Sequence, residues 1–179
     1  MCVLNLLLPK EVIIIKKRWI LLIVILALVA ITAVSSFATA TQDFDGLFTM
    51  NVPIGEHYSD SAWCYDNKPL GCAKEYLKDN DPNNVIDEDE FAVYYYDDSQ
   101  VGGGYSNAAD YSVHVLTTSF VYNFYQSDGD MLVFYNDIGM TNLPEYVVGV
   151  RSDDNSKAVF VGGYDLDMLK SYASSVKFK

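Results

Sequence analysis

Basic residues are scarce beyond residue 40 of this 179-residue chain. Residues 41–179 contain 8 Lys and Arg residues against 23 Asp and Glu residues. A protein that binds nucleic acid needs a basic surface to displace the counterions of the phosphates, and docking on anionic lipid has the same requirement. The acidic excess therefore argues against both kinds of partner for this part of the chain.

The residues of common catalytic motifs are also few. The sequence has two histidines, His57 and His114, which are too sparse for a metal-dependent hydrolase. It contains no nucleophile elbow and no phosphate-binding loop, since the glycines at 102–104 are followed by Tyr105 and Ser106. The sequence thus carries no catalytic signature.

Acidic pairs and tyrosines support two weaker functional hypotheses. The pairs Asp97/Asp98 and Asp128/Asp130 could serve glycoside hydrolysis, although turn formation is the simpler explanation for them. Several tyrosines could stack on sugars, although such residues more often face a core or form cross-strand pairs. These tyrosines are Tyr94, Tyr95, Tyr96, Tyr122, Tyr125 and Tyr135.

One long hydrophobic segment lies near the N-terminus. Trp19 to Gln42 carries no charge, and Lys16, Lys17 and Arg18 come directly before it. Its length and basic flank predict a membrane anchor or a signal segment with the N-terminus in the cytoplasm. We therefore expect a cytoplasmic segment at 1–18, a transmembrane anchor or signal h-region at 19–40, and an extracytoplasmic domain at 41–179.

Two fates of this segment stay open. An uncleaved segment would anchor the protein in the cell membrane as a single-pass protein. Alternatively, the small residues Ala38 and Ala40 flank Thr39 in the pattern of a signal cleavage site, and cleavage near Ala40 would release a secreted domain.

Two of the three cysteines lie in the expected extracytoplasmic domain. Cys64 and Cys72 flank a turn-forming stretch that contains Pro69 and Gly71. Such a stretch lets the chain reverse and brings the two sulfurs together. In an oxidising compartment we expect a Cys64–Cys72 disulfide.

The remaining pattern predicts an α+β fold with an antiparallel sheet and helices packed on one face. Strands are expected at 47–52 and 91–96, followed by two hairpins at 120–136 and 146–162. Helices are expected at 73–78 and 107–120. A C-terminal amphipathic helix is expected after Asp165, its N-cap residue. Its apolar stripe consists of Leu166, Leu169, Tyr172 and Val176.

Both ends of this domain resemble small membrane-anchored extracytoplasmic proteins of methanogenic archaea. The resemblance rests on residues 44–53 (FDGLFTMNVP) and 162–178 (GGYDLDMLKSYASSVKF). It implies an extracytoplasmic location and the general fold, and it implies no activity.

An acidic stretch at 79–90 (DNDPNNVIDEDE) resembles the calcium loop of EF-hand and dockerin proteins. Such a loop supplies oxygen ligands at positions 1, 3, 5, 7, 9 and 12. The corresponding residues are Asp79, Asp81, Asn83, Val85 (through its carbonyl), Asp87 and Glu90. Asn84 replaces the usual glycine, Pro82 is unusual, and a strand is expected to follow, so the alternative is a solvated acidic linker.

Taken together, the sequence predicts a non-catalytic, membrane-anchored module that binds an unknown protein or glycan partner outside the cell. Ca²⁺ is the one expected cofactor, bound in the loop at 79–90. The alternative is a secreted hydrolase that uses acidic residues in a cleft.

Overall fold

The computed structural model describes residues 38–61, 72–79, 86, 90–101, 104–118, 122–137 and 143–179. Thr39–Lys179 form one compact unit. The expected membrane segment lies outside the described residues, apart from residues 38–40. Within the part that is described, no helix combines the length and the apolarity that crossing a bilayer requires.

The described part contains ten strands and two α-helices. The strands are β1 (Thr39–Phe44), β2 (Phe48–Pro53), β3 (Tyr58–Asp60), β4 (Lys74–Lys78), β5 (Phe91–Asp97), β6 (Asn123–Asp128), β7 (Met131–Tyr135), β8 (Tyr146–Arg151), β9 (Lys157–Gly163) and β10 (Lys177–Phe178). The helices are α1 (Ala108–Thr118) and α2 (Leu166–Ser174), and a short 3-10 turn (Asp98–Gln100) follows β5.

The strands form two antiparallel sheets. The larger has seven strands in the order β3-β4-β5-β9-β8-β7-β6, and the smaller has the order β1-β2-β10. The hairpin β1–β2 turns at Asp45 and Gly46, whose φ angles of 54° and 74° are those of a type I′ turn. Both hairpins that the sequence predicts, at 120–136 and 146–162, are confirmed as β6–β7 and β8–β9.

Alternating residues of the central strands create two separate cores. On β5, Phe91, Val93 and Tyr95 join the core beneath the small sheet and α2. The alternate residues Ala92, Tyr94 and Tyr96 join a second core on the other face, beneath α1. A strand buried on both sides needs apolar residues at every position, which is why β5 reads as an unbroken aromatic and aliphatic run.

The α+β class is therefore correct at the level of an antiparallel sheet with two helices, and one finer expectation is wrong. The helices lie on opposite faces of the large sheet, because Leu169 of α2 belongs to one core and Leu116 of α1 to the other. Helical periodicity identifies an apolar stripe, but it does not indicate which face of a sheet that stripe covers.

Two local expectations are also corrected. A helix is expected at 73–78, but Lys74–Lys78 form β4, since pairing with β3 and β5 outweighs the helix propensity of Lys, Glu and Leu. The C-terminal helix begins as expected, with the Asp165 side chain accepting a hydrogen bond from the Met168 N–H at 3.0 Å. It ends at Ser174, however, and Val176 lies beyond it, just before β10.

Candidate binding groove

An open groove lies where three parts of the fold meet. The turn between β6 and β7 forms one part, the loop between β8 and β9 the second, and the end of α2 with β10 the third. The groove has a volume of about 840 Å³. Its lining comes from residues 128–131, 150–157 (without Asn155) and 173–179 (without Ser175 and Lys177).

The floor of the groove is apolar. Met131, Val150, Val176 and Phe178 line it, and each is a partly buried side chain that packs on the core beneath the small sheet. Because one side of each residue rests on the core, the floor is supported from below. A ligand in the groove would therefore meet a fixed apolar surface.

The lysines of the groove are bound to other groups. Lys179 forms an ion pair with Asp43 of β1, and the ammonium group of Lys157 donates to the Lys179 carbonyl. Lys170, on the adjacent turn of α2, forms an ion pair with Asp128 at 2.8 Å. These bonds hold β10, α2 and the two hairpins together around the groove.

Asp154 has a structural role in the loop between β8 and β9. Its Oδ1 accepts hydrogen bonds from the Ser152 hydroxyl at 2.7 Å and from the Ser156 hydroxyl at 2.7 Å, together with the Ser156 N–H at 3.0 Å. These bonds lower the pKa of Asp154 to about 2. The carboxylate is therefore ionised at neutral pH and is not suited to donate a proton.

Two carboxylates and one guanidinium remain at the rim. Asp130 lies at the tip of the β6–β7 turn, Asp153 lies in the β8–β9 loop, and both are exposed, as is Arg151. Within the part of the chain that the structure describes, none of the three forms an ion pair. The groove thus combines an apolar floor with accessible charges at its edge, as binding surfaces for proteins do.

The expected calcium loop connects β4 to β5, so strands rather than helices flank it. Asp79 accepts a hydrogen bond from the Ser59 hydroxyl at 2.5 Å, and its other oxygen lies 2.9 Å from His57 Nδ1. The Ser59 hydrogen bond and then the His57 contact lower the pKa of Asp79. Asp81, Asn83, Val85 and Asp87 lie outside the described residues.

Glu90, at the other end of this loop, belongs to an ion-pair cluster. Lys78 Nζ lies 3.1 Å from an oxygen of Glu90 and 3.1 Å from an oxygen of Glu56. Tyr58 donates its hydroxyl to Glu56 at 3.0 Å. Among the described residues, no three His, Cys, Asp or Glu side chains converge as metal ligands.

The acidic pairs singled out in the sequence have structural roles. Asp97 accepts the Ser99 N–H, and Asp98 accepts the N–H of Ala108 at 2.9 Å at the start of α1. Asp128 pairs with Lys170, while Asp130 stays at the groove rim. Asp128 and Asp130 thus both line the groove, but only Asp130 is without an ion pair among the described residues, and Asp97 and Asp98 serve the turn after β5 and the start of α1.

Most of the tyrosines considered as sugar platforms belong to the core. Tyr94, Tyr95, Tyr96 and Tyr122 are buried, and the Tyr122 hydroxyl donates to the Pro144 carbonyl at 2.7 Å. Tyr135 forms a cross-strand pair with Tyr146, their ring centroids 5.3 Å apart. The expectation that these residues serve packing is confirmed for them, while the side chain of Tyr125 lies outside the description.

Cys72 is buried and disulfide-bonded. Its expected partner, Cys64, lies outside the described residues. The Cys64–Cys72 pairing therefore stays a prediction.

Glu75 is a buried acid that no sequence motif indicates. It lies in β4 at 6% exposure and accepts a hydrogen bond from the Ser61 hydroxyl at 2.7 Å. Burial raises its pKa, which the Ser61 bond partly offsets. Reading 74–78 as a strand would have placed Glu75 and Leu77 on the same face and so flagged this residue.

The chain matches no protein-family model, and no curated protein and no solved structure is significantly similar to it.

Proposed function

We propose that this protein is a membrane-anchored, extracytoplasmic binding module whose groove holds an extended segment of a protein partner. The partner segment carries an aliphatic side chain flanked by basic residues. The observation that carries this proposal is the groove itself, with its apolar floor and its rim carboxylates Asp130 and Asp153.

The charge of the domain favours a basic partner. Residues 41–179 hold 23 acidic against 8 basic residues, and the lysines around the groove are engaged within the fold. Acidic surfaces attract basic ligands over roughly a Debye length, about 8 Å at physiological ionic strength. A second copy of this chain is a poor candidate, since both copies would carry the same excess.

The proposed location follows from the N-terminal segment. The uncharged stretch from Trp19 to Gln42 and the basic residues before it favour a single membrane crossing with residues 41–179 outside. Protease added to intact cells should then degrade the domain. A domain that is resistant until the membrane is permeabilised would refute this location.

Binding is tested with two short peptides and isotope-labelled Thr39–Lys179. One peptide has the sequence Lys-Val-Leu-Val-Lys, and its matched control is Glu-Val-Leu-Val-Glu. We expect chemical-shift changes at Met131, Val150 and Phe178 with the basic peptide only, and weaker binding at higher salt. Changes elsewhere, or none with either peptide, would contradict the proposal.

Two variants distinguish the effect of the rim carboxylates on affinity from the effect of the overall negative charge. In Asp130→Asn with Asp153→Asn, the basic peptide should bind roughly 2- to 30-fold more weakly, since each exposed ion pair contributes about 0.2–1 kcal/mol. Asp137→Asn removes one charge outside the groove lining and should leave the affinity nearly unchanged. Equal losses in both variants would mean that the groove has no special role.

Calcium binding at 79–90 is part of the same proposal. Because Glu90 is paired with Lys78, Ca²⁺ would have to displace this lysine from Glu90. Ca²⁺ at a hundred times its Kd should stabilise Thr39–Lys179 by about 2.7 kcal/mol, measured as a rise in Tm. Asp79→Ala with Glu90→Ala should abolish that rise. Glu56→Gln, which alters the other partner of Lys78, should keep it. No Ca²⁺-dependent rise in the parent would refute calcium binding.

A further inference from the structure

We propose that folding of β1 shields the signal-cleavage motif, so that the folded chain stays uncleaved and tethered. This inference rests on the proposed location, because only an exported chain meets the processing protease. It decides between the two fates that the sequence leaves open, anchoring and release.

The bond that the motif would direct for cleavage lies inside the folded domain, which begins at Thr39. Ala38, Thr39 and Ala40 predict a cut between Ala40 and Thr41. Strand β1 spans Thr39–Phe44, so the bond to be cut lies within the strand. The residues on both sides of that bond are paired with β2, Ala40 with Val52 and Thr41 with Asn51.

Side chains after this bond fix β1 to the rest of the domain. Gln42 makes two hydrogen bonds with the backbone of Tyr58 in β3: its Nε2 donates to the carbonyl at 2.5 Å, and its Oε1 accepts the N–H at 3.0 Å. Phe44 is 1% exposed, and its ring stacks on Phe48 with centroids 4.6 Å apart. Thr41 adds a hydrogen bond to the Asn51 side chain at 2.9 Å.

A protease cleft must enclose several residues on both sides of the bond in an extended, accessible chain. Ala40 and Thr41 are both exposed, so it is the pairing of β1 with β2, and not burial, that keeps the bond out of such a cleft. The bond can enter the cleft only when β1 separates from β2, which breaks the Gln42 bridge. Because β1 is an edge strand, it can open without unfolding of the seven-stranded sheet. Cleavage is therefore expected to depend on the local opening of β1.

The experiment uses the full chain in a host that exports it. A flexible spacer of about eight Gly and Ser residues, inserted between Ala40 and Thr41, separates the motif from the strand by up to roughly 25 Å. A second spacer chain also carries Ala40→Leu, which removes the small residue before the bond. Mass spectrometry measures the fraction cut after Ala40.

We expect the parent to remain intact and the spacer chain to be cut at least about tenfold more, with no cut when Ala40→Leu is added. That ratio needs only about 1.4 kcal/mol for opening of β1. A parent that is cut as completely as the spacer chain would overturn the proposal. A spacer chain that remains uncut would also overturn it, because the motif would then need no shielding.

A second measurement is independent of location. The detergent-solubilised full chains are digested with elastase, which cuts after small residues, and the rate of cutting at Ala40 is followed. Equal rates in parent and spacer chain would refute shielding by β1 wherever the domain resides. Resistance to protease added outside intact cells would instead refute only the proposed location.

Discussion

Gly149 in β8 offers a sharp test of the packing on the α1 side of the sheet. It lies directly opposite Phe160 of β9, and the phenyl ring covers the space where a side chain would begin. A Cβ atom at Gly149 would lie 2.2, 2.5 and 2.9 Å from three carbons of that ring. The φ angle of Gly149 lies outside the left-handed region, so the conflict in Gly149→Ala is purely steric.

The Phe160 ring has little freedom to move aside. It is 2% exposed and meets Tyr96 edge-on, with ring centroids 5.7 Å apart. Phe134 lies on another side, at 6.1 Å. Overpacking of this kind costs about 1–3 kcal/mol, because neighbours must leave their preferred rotamers. In a unit of this size we expect Tm to fall by roughly 3–10 °C.

The assay is thermal and urea unfolding of Thr39–Lys179, with a double-mutant cycle as the control. Phe160→Leu alone leaves a cavity, but in combination with Gly149→Ala it makes room for the new methyl group. The double variant should therefore be more stable than the two single effects added together, by roughly 0.5–3 kcal/mol. If Gly149→Ala melts within about a degree of the parent, the ring is not held against β8 and the reasoning fails.

Two further predictions concern the buried Glu75 and the partly buried Gln42. Burial raises the pKa of Glu75, so its contribution to stability is complete below the ordinary carboxyl pKa and is lost as pH rises through the folded-state value. Glu75→Gln, which can still accept the Ser61 bond, should raise Tm at pH 7 and converge with the parent below about pH 4. A lower Tm at pH 7 would contradict this. Gln42→Glu can still accept the Tyr58 N–H but can no longer donate to the Tyr58 carbonyl, so the free energy of unfolding should fall by about 1–3 kcal/mol. An unchanged urea midpoint would show that this bridge between the two sheets is unimportant.

Elements with a clear local pattern could be predicted from the sequence. The apolar run of β5, the Asp-Gly turn before β7 and the Asp165 N-cap each specify their structure within a few residues. Each of these signals depends on neighbours along the chain. This is why long-range contacts did not change the outcome.

The strands that were missed depend on distant partners. β1 (TATQDF) has an exposed outer face and no alternation of apolar residues, and its position is set by β2 and by the Gln42 bridge. β4 contains good helix formers, but it lies between β3 and β5 in the sheet. β3 and β10 are too short for an alternation of apolar and polar residues to be recognised in the sequence.

The groove could not be predicted for a related reason. Its lining comes from three separate stretches, around residues 130, 153 and 176, that are far apart in sequence. Asp128 and Asp130 stood out as an acidic pair, yet the sequence could not show that Lys170 would engage only the first. Which acids remain available to a partner is therefore a property of the tertiary structure.

The same distribution of lysines explains why the domain can be both strongly acidic and compact. Lys74, Lys78, Lys170 and Lys179 each join an acid from another element or loop, across separations as long as that from Lys179 to Asp43. These four lysines thus lie at junctions, where they reduce repulsion between elements, while acids such as Asp130, Asp137 and Asp153 face solvent. A basic partner would consequently be attracted by the whole domain, and this general attraction should persist in Asp130→Asn with Asp153→Asn. Two measurements can distinguish a specific groove from a generally acidic surface. One is the position of the residues whose chemical shifts change when the peptide binds. The other is the loss of affinity in Asp130→Asn with Asp153→Asn, compared with that in Asp137→Asn.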